Sequence, residues 1–203
     1  MINDMKKSRI IMVTAAAALA MPLYAQEFEE TMGQLPVSMS ATDLNEEKGF
    51  ANSGRFNLSF EGDAEVQYTG ATEKNAQYTD LFNNEASRGC NVRISDEHNC
   101  YFQINGVNTM DISKPVVGFA LLKGVRRFDG TDLVVEWSED GLRWNQLDFE
   151  PLPTGEGSEL TFMYRKTSVL PNKKNISIRF RQGGHGCVFR IDDVCVGPKK
   201  QRK

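Results

Sequence analysis

Residues 175–197, NISIRFRQGGHGCVFRIDDVCVG, decide the fold class. Apolar and polar side chains alternate over residues 176–181 and again over residues 187–192, on the two sides of a glycine-rich break. A period of two residues is that of a β-strand with one buried face, and a short glycine-rich break between two such strands is typical of a hairpin. The stretch therefore predicts a closing β-hairpin that ends on the acidic pair Asp192 and Asp193.

Further strand-like runs precede this stretch at turn-sized intervals. One of them, residues 116–122, is apolar throughout, as expected of a strand that is covered on both faces. Residues 133–137 and 142–149 flank the hairpin signal Asp140-Gly141. Roughly eight or nine short strands without a helical period predict an all-β fold, a single antiparallel jelly-roll β-sandwich. The remaining runs cover residues 56–60, 91–95, 101–105 and 160–164.

The N-terminal residues have the pattern of a secretory signal peptide. Three basic residues, Lys6, Lys7 and Arg9, precede an apolar run, and Ala25 supplies a small residue for cleavage. The apolar run is shorter than the roughly 20 residues that span a bilayer, so no transmembrane segment is expected in the mature chain. We therefore expect an extracytoplasmic protein, periplasmic or secreted. The predicted parts are a signal peptide (1–25), an extended leader (26–55), the sandwich (56–197) and a basic tail (198–203).

The charge of the chain argues against one class of partner. The formal net charge is −3 although both ends are basic, so the body between the ends is acidic. An acidic body disfavours a nucleic-acid-binding surface, and we expect no nucleic-acid partner. The basic residues 198–203 fit a solvated tail better than a site for a polyanion.

All four cysteines lie after the predicted signal peptide, and an even count there favours disulfides. Cys187 and Cys195 lie eight residues apart on one predicted strand. That separation is about 26 Å at ~3.3 Å per residue, whereas a disulfide needs Cα atoms within about 7 Å, so these two are not expected to pair. Two alternatives remain: Cys90 and Cys100 each cross to the C-terminal stretch, or they pair locally and leave two buried thiols.

No signature of catalysis or of a zinc site is present in the sequence. The chain lacks the GxSxG, HExxH, Walker and GxGxxG motifs. Its two histidines, His98 and His185, fall in polar turns and are predicted to be exposed, and there is no CxxC spacing that would join them in a zinc site. We therefore predict that the protein is not an enzyme.

Aromatic side chains are the first candidates for ligand contact. Tyr68, Tyr78 and Phe82 lie in and around a long polar segment, where an exposed stacking platform can form. Trp137 and Trp144 are in step with apolar neighbours on predicted strands, and we expect both to fill the core.

Three arginines are the second candidates. Arg179, Arg181 and Arg190 share the face of the predicted closing hairpin opposite its apolar side. Such a stripe could bind an anionic sugar. The interpretation that we favour is that these arginines pair with Glu136 and other acids on a neighbouring strand.

Several short segments resemble a known family: Phe60-Glu61, FQINGVNT at 102–109, VVEWSEDGLRW at 134–144 and FRIDDV at 189–194. Together they resemble the jelly-roll domains of the MAM and choice-of-anchor type, which belong with the galactose-binding-like sandwiches. The resemblance covers roughly residues 56–197 and implies a carbohydrate-binding or adhesion module. We expect a non-catalytic recognition module for a polysaccharide or cell-surface glycan. The alternative is a structural or adhesive protein that binds a surface protein.

A structural calcium ion is the one cofactor that the sequence predicts. If the opening and closing strands are neighbours, Glu61 and Asp63 come close to Asp192 and Asp193. Calcium takes six to eight oxygen ligands, which carboxylates and backbone carbonyls supply. The family resemblance implies the same, since such sandwiches often carry calcium near their FE and IDD segments. In a regular strand, however, Asp192 and Asp193 point to opposite faces, so only one of them would reach the ion.

Overall fold

The computed structural model describes residues 27–33, 38–55, 57–68 and 76–199. The predicted signal peptide and most of the basic tail lie outside these residues. None of the helices within them is long and apolar enough to cross a membrane.

The described residues form mainly β-strands. In chain order the elements are β1 (Phe28–Glu30), β2 (Met39–Ser40), α1 (Ala41–Glu46), β3 (Ser59–Glu61), β4 (Glu65–Tyr68), β5 (Cys90–Ile94), β6 (Tyr101–Val107), β7 (Pro115–Lys123), β8 (Leu133–Ser138), β9 (Asn145–Leu147), a 3₁₀ turn (Ser158–Leu160), β10 (Met163–Lys166), β11 (Ile176–Gln182) and β12 (Phe189–Pro198).

The strands pack as two antiparallel sheets. The larger sheet has the order β10-β7-β12-β5-β4-β2, and β1 also pairs with β12. The smaller sheet has the order β3-β6-β11-β8-β9. The protein is an all-β, antiparallel jelly-roll β-sandwich, as predicted.

The core lies between the sheets and follows the alternation seen in the sequence. Ile176, Ile178 and Phe180 of β11 are buried, and the ring of Phe180 meets that of Phe119 on β7 edge to face, with centroids 5.1 Å apart. All nine residues of β7 are buried, because other parts of the chain cover the outer side of this strand as well. The predicted apolar strand at 116–122 is thereby confirmed.

The predicted closing hairpin is wrong in its pairing. β11 pairs with β6 and β8 in the smaller sheet, whereas β12 pairs with β5, β7 and β1 in the larger one. The glycine-rich residues 183–188 therefore cross from one sheet to the other. The period of two identifies which face of each strand is buried, and two strands that bury the same core from opposite sides have the same pattern as a hairpin.

The predicted extended leader is also wrong, because the described part of residues 26–55 belongs to the sandwich. β1 lies along β12, with Phe28 opposite Val196. Leu44 of α1 is buried, and the ring of Phe50 stacks on that of Phe60 at 4.2 Å between centroids. No periodic signal is visible here in the sequence because each ordered piece is shorter than two helical turns.

Glu30 fastens this N-terminal segment. Its buried carboxylate accepts hydrogen bonds from the backbone N–H groups of Met32 (2.9 Å), Ala51 (3.0 Å) and Asn52 (2.9 Å), and from the side-chain amide of Asn52 (2.9 Å). Burial raises the pKa of Glu30, and these hydrogen bonds oppose that rise. One side chain therefore satisfies backbone groups in two separate parts of the segment.

We expect Glu30→Ala to lower the free energy of unfolding by about 3 kcal/mol, because it leaves several buried N–H groups without an acceptor. Urea denaturation measures the loss. The matched control is Glu46→Ala, which removes an exposed glutamate from α1 and should change stability by less than about 0.5 kcal/mol. Equal midpoints for the two variants would contradict the anchoring role.

The predicted disulfide is absent, because all four cysteines are free and buried. The Cys100 sulfur accepts a hydrogen bond from the N–H of Ser95 (3.4 Å), whereas Cys90 lies at the other end of β5, about 16 Å away at ~3.3 Å per residue. Cys187 belongs to the main core, and Cys195 belongs to a separate small cluster. Free cysteine is among the most buried residue types, so burial accounts for these positions without a bridge.

Thiol titration without a reducing agent tests this arrangement. Native protein should react slowly with a bulky thiol reagent because all four sulfurs are buried, and the unfolded protein should show four thiols. Fewer than four thiols in unfolded, unreduced protein would restore the disulfide prediction.

Candidate functional site

The outer side of the smaller sheet is polar along its whole width. On β11, β6 and β8 the residues between the buried apolar positions point away from the core, and several are planar amides, guanidinium groups or aromatic rings. Trp144, in the turn before β9, lies against the same side. We call this surface the polar face, and it consists of Glu61, Tyr101, Gln103, Asn105, Glu136, Trp144, Ser177, Arg179 and Arg181.

One half of the polar face is a row of hydrogen-bonded amides and hydroxyls. The side-chain amide of Gln103 donates to Glu61 Oε1 (2.5 Å) and to Asn105 Oδ1 (2.8 Å). The hydroxyl of Ser177 donates to the same oxygen of Asn105 (2.6 Å). These bonds hold the side chains of three neighbouring strands in one fixed arrangement.

The other half is built on Glu136. The Nε–H groups of Arg179 and Arg181 both donate to Glu136 Oε1, at 2.7 Å and 3.0 Å, and Glu136 is only 5% exposed. The predicted pairing of these arginines with Glu136 is thereby confirmed. These hydrogen bonds are partly buried and join charged groups. They therefore hold the guanidinium planes of Arg179 and Arg181 more firmly than an exposed ion pair would.

Arg179 also lies between two aromatic rings. Its guanidinium carbon is 3.7 Å from the ring centroid of Trp144 and 5.9 Å from that of Tyr101, within the range of cation–π attraction. The prediction that Trp144 fills the core is wrong, because β9 begins one residue later and Trp144 belongs to the turn. Trp137 does pack against the core, as predicted.

Arg190 does not belong to the polar face. It lies on β12 in the larger sheet, where its guanidinium donates to Asn91 Oδ1 (2.8 Å) and Gln67 Oε1 (3.1 Å). The prediction that three arginines share one face assumed that β11 and β12 form a hairpin. Because these strands lie in different sheets, Arg190 is separated from Arg179 and Arg181.

The predicted aromatic platform does not form either. Tyr68 is 51% exposed on β4, but Tyr78 donates a hydrogen bond to Asp193 Oδ2 (2.6 Å) and stacks with Tyr164 at 5.7 Å between ring centroids. Phe82 packs against a small buried cluster on the outer side of the larger sheet. The segment that carries Tyr78 and Phe82 therefore covers that sheet, and its aromatic residues hold it there.

The predicted metal ligands are divided between the two sheets. Glu61 accepts a hydrogen bond from Gln103, and Asp63 accepts one from the backbone N–H of Tyr101 (2.8 Å). Both donors lie on β6 in the smaller sheet. Asp192 and Asp193 lie on β12. The N-terminal strand that pairs with β12 is β1, whereas β3 pairs with β6 in the other sheet. The acid near Asp192 and Asp193 from the N-terminal part of the chain is Glu29, which lies in the residues predicted as an extended leader.

A different acid, Glu29, lies close enough to Asp192 and Asp193 for their charges to interact. Glu29 lies opposite Cys195 in the β1–β12 pairing, and the ligand atoms of Glu29, Asp80 and Cys195 lie within 4.8 Å of one another. We call Glu29, Asp80, Asp192 and Asp193 the acidic cluster. Asp80 belongs to the segment that carries Tyr78, and Tyr78 of that segment donates a hydrogen bond to Asp193.

A β-bulge brings both aspartates into the acidic cluster. Asp192 pairs with Ala120 of β7 and Cys195 pairs with Gly118, so one residue of β7 faces two residues of β12. Asp193 has φ of 45°, in the left-handed region that aspartate tolerates better than most residues. The extra residue breaks the alternation that would otherwise point the two carboxylates to opposite faces.

Two oxygens of the acidic cluster have no hydrogen-bond partner among the described residues. They are Asp192 Oδ2 and Asp193 Oδ1, and both side chains are fully buried. The other oxygens are satisfied: Asp192 Oδ1 accepts from the N–H of Asp193 (2.9 Å), and Asp193 Oδ2 accepts from the N–H of Ser87 (2.9 Å) as well as from Tyr78. Buried carboxylate oxygens without a partner are costly, and a bound cation is one way to satisfy them.

The electrostatics of the acidic cluster agree with this geometry. Burial, followed by the charges of Asp80 and Asp193, raises the pKa of Glu29 to about 7. Burial and the neighbouring Asp193 raise the pKa of Asp192 well above its usual value. Burial also raises the pKa of the Cys195 thiol, so the cluster offers oxygen ligands beside a neutral sulfur. Carboxylate oxygens thus predominate among the possible ligands of the acidic cluster, which favours a hard cation over a soft one.

Comparison with known proteins gives similarity at the level of the fold only. No protein-family model matches the chain, and no curated protein sequence matches it. The resemblance to MAM-like and choice-of-anchor domains therefore stays a prediction.

Several solved structures have a similar strand arrangement. A family 35 carbohydrate binding module from Clostridium thermocellum is 16% identical with a TM-score of 0.46, over 81% of this chain and 99% of that one. The module TmCBM61 in complex with β-1,4-galactotriose is 15% identical with a TM-score of 0.43, over 70% of this chain and 89% of that one.

An exo-β-1,3-galactanase from Phanerochaete chrysosporium is 15% identical with a TM-score of 0.44, over 79% of this chain but 29% of the enzyme. At these identities and scores, none of the three likenesses carries information on the ligand of this chain.

Replacing Tyr78 tests its structural role. We expect Tyr78→Phe to lower the free energy of unfolding by about 1–3 kcal/mol, because it removes the hydrogen bond to a buried carboxylate. Tyr101→Phe, on the half-exposed polar face, is the control and should change stability by less than about 0.5 kcal/mol. Thermal unfolding of the two variants under identical conditions makes the comparison, and equal losses would contradict the role given to Tyr78.

Proposed function

We propose that this protein is an extracytoplasmic, non-catalytic recognition module that binds a glycan across the polar face. The observation that carries the proposal is the position of Arg179, which is held by Glu136 and lies between Trp144 and Tyr101. A charged planar group is thereby fixed beside aromatic rings on an open sheet.

The chemistry of the polar face suits a sugar. A sugar ring presents hydroxyl groups that need hydrogen-bond donors and acceptors, and a C–H face that packs against an aromatic ring. The amide row of Gln103 and Asn105 supplies the first, and the indole of Trp144 supplies the second. Because these side chains are already bonded to one another, little conformational entropy is lost when a ligand binds.

The carboxylates of the polar face serve to hold other side chains. Glu136 accepts from both arginines, and Glu61 accepts from Gln103. A glycosidase instead needs one carboxyl group that donates a proton and a second that acts as nucleophile or base. The arrangement on the polar face therefore favours binding over hydrolysis.

A glycan array with purified protein tests the proposal. We expect Trp144→Ala to weaken binding by about tenfold or more, because aromatic and arginine contacts in binding sites often contribute on the order of 1.4 kcal/mol or more. Arg179→Lys should weaken binding as well, because it keeps the charge but loses the planar group. The control is Tyr68→Ala, which removes an exposed aromatic ring from the other sheet and should leave affinity unchanged.

Three outcomes would contradict this assignment. Binding that survives Trp144→Ala and is lost in Tyr68→Ala would move the site to the larger sheet. Binding that is unaffected by all three variants would separate the glycan from the polar face. Capture of one purified surface protein, without binding to any glycan, would favour the alternative of an adhesive protein.

We also propose that the acidic cluster binds a structural calcium ion. The support has two parts: Asp192 and Asp193 each have a fully buried, unpartnered oxygen. The charge of Asp193 also acts on Glu29, whose ligand atom lies within 4.8 Å of those of Asp80 and Cys195. The ion would supply positive charge to a buried site and would stabilise the native state by binding it in preference to the unfolded chain. It would take no part in ligand chemistry.

Thermal unfolding in the presence of EGTA or excess calcium tests this site. We expect EGTA to lower the melting temperature and calcium to restore it, because binding to the native state alone stabilises that state. Asp80→Asn should abolish the calcium response, whereas Glu61→Gln, from the set predicted by the sequence, should retain it. A melting temperature that neither EGTA nor calcium changes would exclude a structural calcium ion.

A further inference from the structure

The two histidines of the chain lie side by side. The ring centroids of His98 and His185 are 5.4 Å apart, with an angle of 37° between the ring planes, and both side chains are exposed. They are far apart in the sequence, and each occupies a polar turn. No motif in the sequence joins them, so the fold creates the pair.

Each histidine lies on a connection that crosses between the sheets. Residues 95–100 lead from β5 to β6, and residues 183–188 lead from β11 to β12. Because the strands at both ends of these connections are packed in the sandwich, the two connections meet at the same end of the molecule.

Gln182 ties the two connections together. The backbone N–H of Asn99 donates to the carbonyl of Gln182 (3.0 Å), and the N–H of Gln182 donates to the carbonyl of Cys100 (2.9 Å). The buried side-chain amide of Gln182 donates to the carbonyls of Ser95 (2.9 Å) and Cys187 (2.7 Å). The backbone beneath the histidines is therefore fixed, so their proximity does not depend on how the exposed rings happen to pack.

The distance between the rings suits two imidazoles on one metal ion. A Zn–N bond is about 2.0–2.1 Å and tetrahedral angles are near 109°, which places the two ring centroids about 5 Å apart. The observed 5.4 Å is close to this value, so small rotations of the exposed side chains would bring one nitrogen of each ring to a shared ion.

Acidic residues lie near each histidine in the chain or in the fold. Asp96 and Glu97 immediately precede His98 and are exposed. The carboxylate of Asp132 lies against Gly184, next to His185, because a Cβ atom on Gly184 would be 2.6 Å from Asp132 Oδ1. Arg181 contributes a nearby positive charge through its bond to Asn99 Oδ1 (3.1 Å). Among the described residues no third side chain forms a group with the two histidines whose ligand atoms all lie within 4.8 Å of one another, so water would complete the coordination shell.

We propose that His98 and His185 form a surface site for a divalent transition-metal ion of the zinc, nickel or copper type. Imidazole suits these ions, whereas calcium and magnesium prefer oxygen. The site is thus chemically distinct from the acidic cluster. A bound ion would link the two connections that cross between the sheets and would stabilise the folded chain by preferential binding.

Isothermal titration with zinc tests the site, on protein without a polyhistidine tag, since the chain itself has two histidines. Excess calcium is present so that the acidic cluster is occupied. We expect one zinc ion per chain, and we expect His98→Gln and His185→Gln each to weaken binding by about tenfold or more. The double variant should bind zinc no more tightly than either single variant, because each single variant still keeps one imidazole ligand.

Three results would overturn the proposal: no zinc binding, zinc that excess calcium displaces, or a single histidine variant that binds zinc like the parent. Metal-free melting temperatures check that the variants fold. Because both histidines are exposed, these temperatures should match that of the parent, and a loss of zinc binding then reports the lost ligand.

Discussion

The structure depends on the pairing of β12 with three other strands. β12 is hydrogen-bonded to β7 along one side, and to β5 and then β1 along the other. This pairing closes the larger sheet and brings the N-terminal segment into the fold. The single irregularity in it, the bulge at Asp193, allows two neighbouring carboxylates to lie together in the acidic cluster. A regular strand at this position would keep the sheet and lose the cluster.

The strands themselves could be predicted from the sequence, because burial of one face imposes a period of two. The runs on β6, β8 and β11 lie where the alternation predicted them, and β7 lies where the continuous apolar run predicted it. Strand partners could not be predicted in the same way, since the alternation records the buried face and not the neighbour. The missing information on strand partners explains both the wrong hairpin and the wrong grouping of Arg190 with Arg179 and Arg181.

The remaining errors come from short elements. β1 has three residues, too few for any period to be visible. The sequence therefore predicts an extended leader where Glu29 and Glu30 lie on a strand. Trp144 lies in the turn, one residue before β9 begins, so its indole packs against the polar face and not in the core as predicted. Tyr78 and Phe82 lie in a polar segment, yet their own contacts bury them. In each case a tertiary contact decides the outcome, and local sequence carries no trace of the partner.

The two sides of the sandwich differ in how much of the chain covers them. The segment that holds Tyr78 lies across the larger sheet, whereas the polar face of the smaller sheet stays open. In the β1–β12 pairing, Phe28 lies opposite Val196, so both ends of the folded part leave the molecule from the covered sheet. A tether or fusion attached at either end would therefore join the larger sheet and not the sheet that carries the polar face.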